Sequence, residues 1–478
     1  MLKRNTWVAI IALAVGAAPA FFGAYAWIAI SGMLIMTLIL VLRQNELAVT
    51  ALIAIHLYVD WYLTLHLIGI TLVLLLLVVL FLTRPPQYTW MKPRPFWVWL
   101  LFLALAILPA VRGALTLYDA TTFYPGNILG AFLIFWLGTI LAQNYARVRR
   151  FVKIFAILGV LLAIHTIIQA TTGKALFESA RAEVFLSTVT YEIGGQTHRT
   201  GSFFVDPNWN GTFFAMMIFL PLGLLVESAS VWIKLLCLCA ILLMACALLS
   251  TYSSGAWVGV SGGMVAFVIV IGSMRQRILL LLFIVVVFML LTVFFPTQFA
   301  IQLQHSSDAQ DLALRAAAWQ TALQVIRAFP LTGVGLGYQA YVLRADPYRV
   351  PAQYEPLEHP HNAYLEWGAM AGLPVLLLFL ALVGCGLWFA WRNWTLVHAG
   401  QRVLIGGGIA SIAALSVNSW TINGWTHPVL GMIGWLILGV ISSPLLERGL
   451  KDMAIQEKST TVTEEVLHFH DYTTTQSR

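Results

Sequence analysis

Runs of about twenty apolar residues recur from one end of this 478-residue chain to the other, and no soluble fold accommodates them. A bilayer core about 30 Å thick takes about 20 residues per helical crossing. About fourteen stretches qualify, near residues 7–22, 25–42, 46–60, 64–82, 97–112, 126–143, 151–170, 203–226, 232–249, 256–272, 278–296, 369–391, 403–419 and 428–446. The number falls to twelve if the first or last pair is re-entrant. Continuous runs such as 72–82 and 278–295 exclude the alternating pattern of a membrane β-barrel. Only 10% of residues are charged against 60% hydrophobic, too few to cover a water-facing surface. The fold expected is therefore all-α and polytopic, with about 12–14 transmembrane helices and the lipid bilayer as its principal solvent.

The net charge of +7 is no sign of nucleic acid, because Lys and Arg collect at the cytoplasmic ends of membrane helices. With a cytoplasmic N-terminus, Lys3, Arg43, Arg94, Arg149, Lys234, Arg277, Arg392 and Lys451 all fall on that side, so both termini are expected inside. The same parity puts two long segments outside, near 171–202 and 296–362. Loops this long are usually functional. The four cysteines lie in apolar runs with no metal or disulfide spacing. The first apolar stretch lacks a small-residue cleavage site and reads as a retained helix, and the Thr-rich stretch 447–478 as a disordered cytoplasmic tail.

The longer outer loop carries a helix over 308–329, with Leu312, Ala316, Trp319, Leu323 and Ile326 on one apolar face that lies on the membrane or packs over the bundle. Arg315 sits on it, either pairing with Asp311 at i, i+4 or serving a site. His361 precedes a helix that Asn362 can cap. It is a polar helix-entry residue, one of a His359/His361 pair that binds metal adventitiously, or a base suited to neutral pH. Arg199 ends the shorter loop, and Asp206 and Asn208 enter the next span, where they should face protein. Glu366 follows about a turn after His361, orienting the site or pairing with an arginine, and Arg344 adds a cation to the longer loop. The glycines at 333–337 follow a helix and no strand, which argues against a dinucleotide fingerprint. Buried His56, Asp60, His66, His165 and Gln169 read as interhelical hydrogen-bonders.

Three stretches together resemble the bacterial O-antigen ligase and O-antigen polymerase superfamily: Arg199-Thr-Gly-Ser-Phe-Phe-x-x-Pro-Asn208; Arg315-x-x-x-Trp319 leading to Pro330-Leu-Thr-Gly-Val-Gly-Leu-Gly337; and His361-Asn-x-Tyr-Leu-Glu-x-Gly-x-x-Gly-Leu-Pro374. The resemblance implies a metal-independent glycosyltransferase of the bacterial inner membrane, with no cofactor and a large, partly helical periplasmic loop. It would move a glycan from an undecaprenyl-pyrophosphate donor to a hydroxyl of a glycan, a lipid A core or another acceptor. His361 is then the base, Arg315 and Arg199 the cations on the leaving group, and His359, Asn362, Glu366, Asn208 and Arg344 substrate-binding residues. Residues 1–198 would form N-terminal helices and the first outer loop, 199–446 the catalytic region with its loop at 297–362, and 447–478 the tail. One departure stands out: the family often has Ser-Arg near the outer end of a middle helix, where this chain has Ser253-Ser254-Gly255. A polysaccharide or lipid transporter and a membrane scaffold are the alternatives. No internal repeat supports the first, and the second leaves the charged outer loop unexplained.

Overall fold

A computed structural model describes residues 92–173, 186–191, 195–204, 206–271, 274–307, 309–397 and 402–451. The first four expected spans, with His56, Asp60 and His66, lie outside the described residues. The remaining ten are all present as helices. Eight are long and apolar enough to cross a membrane: α1 (Phe96–Gly113), α2 (Leu117–Leu141), α3 (Tyr145–Thr172), α4 (Pro207–Glu227), α5 (Val231–Ser250), α7 (Met274–Phe294), α12 (Leu373–Leu396) and α14 (Pro428–Lys451). Two are apolar but shorter, α6 (Ser254–Val270) and α13 (Arg402–Asn418). The protein is an all-α polytopic membrane protein, with one addition. Residues expected as plain loop form an antiparallel hairpin, β1 (Leu186–Tyr191) with β2 (Gly195–Thr200), in which Ser187 stands opposite Arg199. The run Ser187-Thr-Val-Thr is rich in strand formers, a signal that hydropathy counting passes over.

Small residues set the closest helix contacts. A side chain at Gly259 would lie 2.9 Å from the Ala414 carbonyl, so α6 and α13 meet backbone to backbone. Between membrane helices, van der Waals contact of this kind replaces the hydrophobic drive available in water. A second core is aromatic: Trp99 packs on Phe135 and Trp435, and Phe379 on Trp367 and Trp425, tying α1, α2, α12 and α14 together.

The longer outer loop is largely helical, as α8 (Pro296–Ser306), α9 (Ala309–Ala328) and α10 (Tyr338–Ala345), and leads to α11 (Ala363–Ala371). The face of α9 that packs is not the expected leucine stripe. Ala317, Ala318, Thr321, Ala322 and Val325 are buried, whereas Leu312 and Leu323 are exposed. Small side chains let α9 lie close to α11, which leaves the larger ones outward.

Basic residues expected on one side meet there. Arg94, Arg392 and Lys451 all pair with Glu447, at 2.7, 3.2 and 2.7 Å. Glu447 is therefore no part of a disordered tail, and α14 runs on to Lys451, which moves that expected boundary. Helix α12 carries Arg392 near its far end and begins beside Leu331 and Thr332, so this cluster lies about 30 Å from the loop helices.

Candidate active site

The site is built where the long loop folds back onto the bundle. The glycine segment between α9 and α10 spends its backbone on protein: Val334 and Gly335 donate to the Ala369 and Met370 carbonyls at 2.9 Å each, and Leu336 donates to Pro109 at 2.8 Å. Gly333 has φ +59 and lies against the Met370 backbone, so it needs glycine on two counts. These amides fasten α11 to α1 and are not a phosphate cradle. Arg344 belongs to the same joint, donating to the carbonyls of Arg112 and Val334.

Asn362 caps α11 as expected, its side chain accepting from the backbone N–H of Tyr364 and Leu365 at 3.0 and 3.1 Å. It is buried and committed to the cap. Ala363 donates to the carbonyls of Ser419 and Ile422, which wraps the turn 419–422 around the start of α11. His361, just before the cap, is held at φ +49, a left-handed conformation costly for a residue with a Cβ. Its own N–H donates to His359 Nδ1 at 3.2 Å, and the two rings lie 4.2 Å apart. His359 also packs against Tyr338, at 5.5 Å. Tyr338 in turn accepts from Asn423 at 3.1 Å, and Asn423 accepts from the Trp209 indole at 2.6 Å.

Arg315 forms the i, i+4 pair that its spacing allows and one further bond across to the bundle. It pairs with Asp311 at 3.0 Å and donates to the Thr421 carbonyl at 2.9 Å, which brings α9 to the turn that wraps His361. From the other side, Arg199 donates to the Thr251 carbonyl at 3.0 Å and to Asn208 Oδ1 at 2.9 Å. Asn208 donates its backbone N–H to Asp206, the cap of α4, at 2.6 Å. Asn208 thus faces protein, as a residue entering a span must.

The electrostatics join these groups. Burial holds the His361 imidazole below its usual range, the Arg315 charge pushes it the same way, and Asp206 and Asp311 oppose them. All three of those charges therefore sit within electrostatic reach of His361, and Asp206 links through Asn208 to Arg199. His361 Nδ1 is buried with no hydrogen-bond partner among the described residues. His359 is pushed lower still by desolvation, then by His361 and His427.

Of the two readings of Glu366, the pair with an arginine is not formed among the described residues. Its carboxyl is buried, with neither oxygen in good hydrogen-bond geometry. Burial pushes it up to about 8, with Thr426 nearby working in the opposite direction. No cluster of three His, Cys, Asp or Glu side chains suited to a metal occurs among the described residues. His165 and Gln169 do form hydrogen bonds, though to the short segment before α4 rather than to another spanning helix: to the Ser202 hydroxyl at 2.7 Å and the Ser202 N–H at 2.9 Å.

Sequence reasoning missed the segment 418–427, which supplies Thr421, Asn423 and His427. Its signal was available: it separates two apolar stretches, and the parity that puts 296–362 outside puts it outside too.

No curated protein matches the chain. Residues 239–380 match the family model described as O-antigen ligase. The match runs from α5 into α12 and holds Arg315 and His361, while Arg199 and Asn208 precede it. This stretch is similar to the O-antigen ligase family, in keeping with the resemblance carried by the three sequence motifs.

Proposed function

We propose that the protein is a glycosyltransferase of surface polysaccharide assembly, acting at the periplasmic face of the bacterial inner membrane. It moves a glycan from undecaprenyl pyrophosphate to an acceptor hydroxyl. The observation that carries this reading is the convergence on His361: a desolvated imidazole with Arg315 on one side and the Asp206–Asn208–Arg199 chain on the other.

The chemistry divides between these groups. The acceptor oxygen attacks the anomeric carbon of the donor sugar and hands its proton to His361. Nδ1 is sealed inside, so Nε2 across the ring is the nitrogen that receives it. The bond from that carbon to the pyrophosphate oxygen breaks, and its electron pair leaves with undecaprenyl pyrophosphate. Such a leaving group is stable as an anion and calls for cations, which Arg315 and Arg199 supply with permanent charge and forked donors. The imidazolium then returns its proton to water. Keeping His361 neutral is what this step requires, and burial beside Arg315 does so. Positioned base catalysis contributes roughly 10²–10⁴-fold, and stabilisation of the departing charge contributes further.

Purified protein in lipid, given a lipid-linked oligosaccharide and candidate acceptors, should release undecaprenyl pyrophosphate. Loss of release in His361→Ala and Arg315→Ala supports the assignment. Full turnover by well-folded His361→Ala protein overturns it. Transport driven by an ion gradient, with no bond made, would favour the transporter.

A further inference from the structure

The turn that wraps His361 carries one side chain that nothing so far uses. Trp420 is 57% exposed, although Asn418, Ser419, Ile422 and Asn423 around it are buried. The backbone on which it stands is fixed. Thr421 N donates to the Asn418 carbonyl at 2.8 Å, Ala363 N takes the Ser419 and Ile422 carbonyls, and Arg315 takes that of Thr421. The indole packs against Tyr364 at a tilt, with ring centroids 4.9 Å apart and the planes at 45°. Tyr364 is itself pinned by its hydroxyl donating to the Ser416 carbonyl at 2.7 Å. The result is an aromatic plate on a fixed backbone, more than half exposed.

Its position limits what it can meet. Ala363, held inside the turn, is two residues from His361, at most about 7 Å of chain. Thr421, the next residue along, holds Arg315. The plate therefore stands within roughly one or two sugar rings of the reacting carbon. A bilayer anchor has an aromatic ring in a belt at the headgroup level. Here the residue next in the chain, Thr421, gives its carbonyl to Arg315, which also pairs with Asp311, so charged and hydrogen-bonding groups are held one residue away. A pyranose ring has an apolar C–H face and a polar rim, which suits a flat indole with an electron-rich face bordered by hydrogen-bonding groups.

We propose that Trp420, backed by Tyr364, is a saccharide-stacking subsite that seats a sugar ring next to the one being transferred. This deepens the function proposed above and rests on it for the direction of the glycan. The sugar could belong to donor or acceptor, and the kinetics below tell them apart.

The test uses the full chain in nanodiscs and, as probe, water-soluble oligosaccharide cut from the source bacterium's surface polysaccharide, with no lipid attached. Binding is read by calorimetry, so it needs no turnover. Trp420→Ala should weaken binding about tenfold, the size expected from losing one aromatic contact. Trp420→Phe should restore most of it. Trp388→Ala, an equally exposed tryptophan near the far end of α12, should bind like wild type. In transfer assays, KM rises for whichever substrate carries the stacked sugar. Unchanged binding in Trp420→Ala, or no binding by wild type, overturns the proposal and leaves Trp420 as a bilayer or isoprenoid contact. Glycan binding that depends on Trp420 in a protein that makes no glycosidic bond would sink the transferase reading and keep the subsite.

Discussion

Replacing Glu366 by Gln should change how stability depends on pH more than how large it is at any one pH. Glu366 is buried with its carboxyl oxygens lacking good partners, and burial raises its pKa from the ordinary 4.5 to about 8. Below about pH 4.5 the folded and unfolded chains both hold the proton, and the site costs nothing. As pH rises from there to about 8, the unfolded chain ionises and the folded one does not, so stability falls by about 1.4 kcal/mol per pH unit. Across roughly 3.5 units the loss approaches 5 kcal/mol, of which about 3 is reached at pH 7. Glutamine is uncharged throughout and removes this slope. It also brings two N–H donors where the acid has one O–H, an offset of about 1–3 kcal/mol that pH does not alter. Denaturation of nanodisc-embedded wild type and Glu366→Gln from pH 5 to 8.5 separates the two effects. The gap between the curves should shift in favour of the variant as pH rises. Parallel curves would refute the reasoning, since they would mean that Glu366 is ionised at neutral pH beside a partner.

Other outcomes follow from the same geometry. His361→Ala should lower transfer by roughly 10²–10⁴-fold with donor binding retained, measured as undecaprenyl pyrophosphate released per enzyme. The acid limb of kcat/KM should fall below the usual imidazole range. In Arg315→Gln it should move to higher pH, because removing a cation makes the imidazolium easier to form; a limb that stays in place in the variant would break the link between Arg315 and His361. Asn362→Ala removes two cap bonds and should cost about 1–3 kcal/mol in denaturation, with His361 loosened and turnover reduced. Gly333→Ala meets a left-handed φ and the Met370 backbone together, and should cost more than about 1 kcal/mol by the same measurement.

The helices were legible because each needs about twenty apolar residues and little else. All ten expected spans that fall within the described residues are found as helices. The cap at Asn362 and the Asp311–Arg315 pair were legible for a similar reason, both being set by spacing along one helix. What escaped is what depends on which face turns inward. On α9 the leucines mark the apolar side, but alanines permit closer approach to α11, and approach decided the packing. For Glu366 the sequence left open a role in orienting the site or a pair with an arginine, and spacing along the chain does not decide between them. A helix turn later it faces Thr426 and two tyrosines instead. Asn362, His359 and Arg344 look like substrate contacts in sequence, yet their bonds here go to the cap, to the His361 N–H and to loop carbonyls.

Among the described residues, three that are not glycine adopt a left-handed φ: Ser202, Tyr252 and His361. All three adjoin the site. Ser202 follows Arg199 in the same segment and is gripped by His165 and Gln169. Tyr252 follows Thr251, whose carbonyl takes Arg199. Conformations of this kind cost about 1–3 kcal/mol each and persist only where the surroundings over-determine them. At His361 the surroundings are the cap beneath it, the turn around Ala363 and the bond to His359. At Arg199 they are the hairpin, the cap of α4 and the end of α5. The left-handed positions thus flank the residues proposed as base and cation, and are held by a helix cap and a turn on one side and by the hairpin and helix ends on the other. A site fixed in this way spends little on ordering itself at the moment of reaction, which is when preorganised charge is most effective.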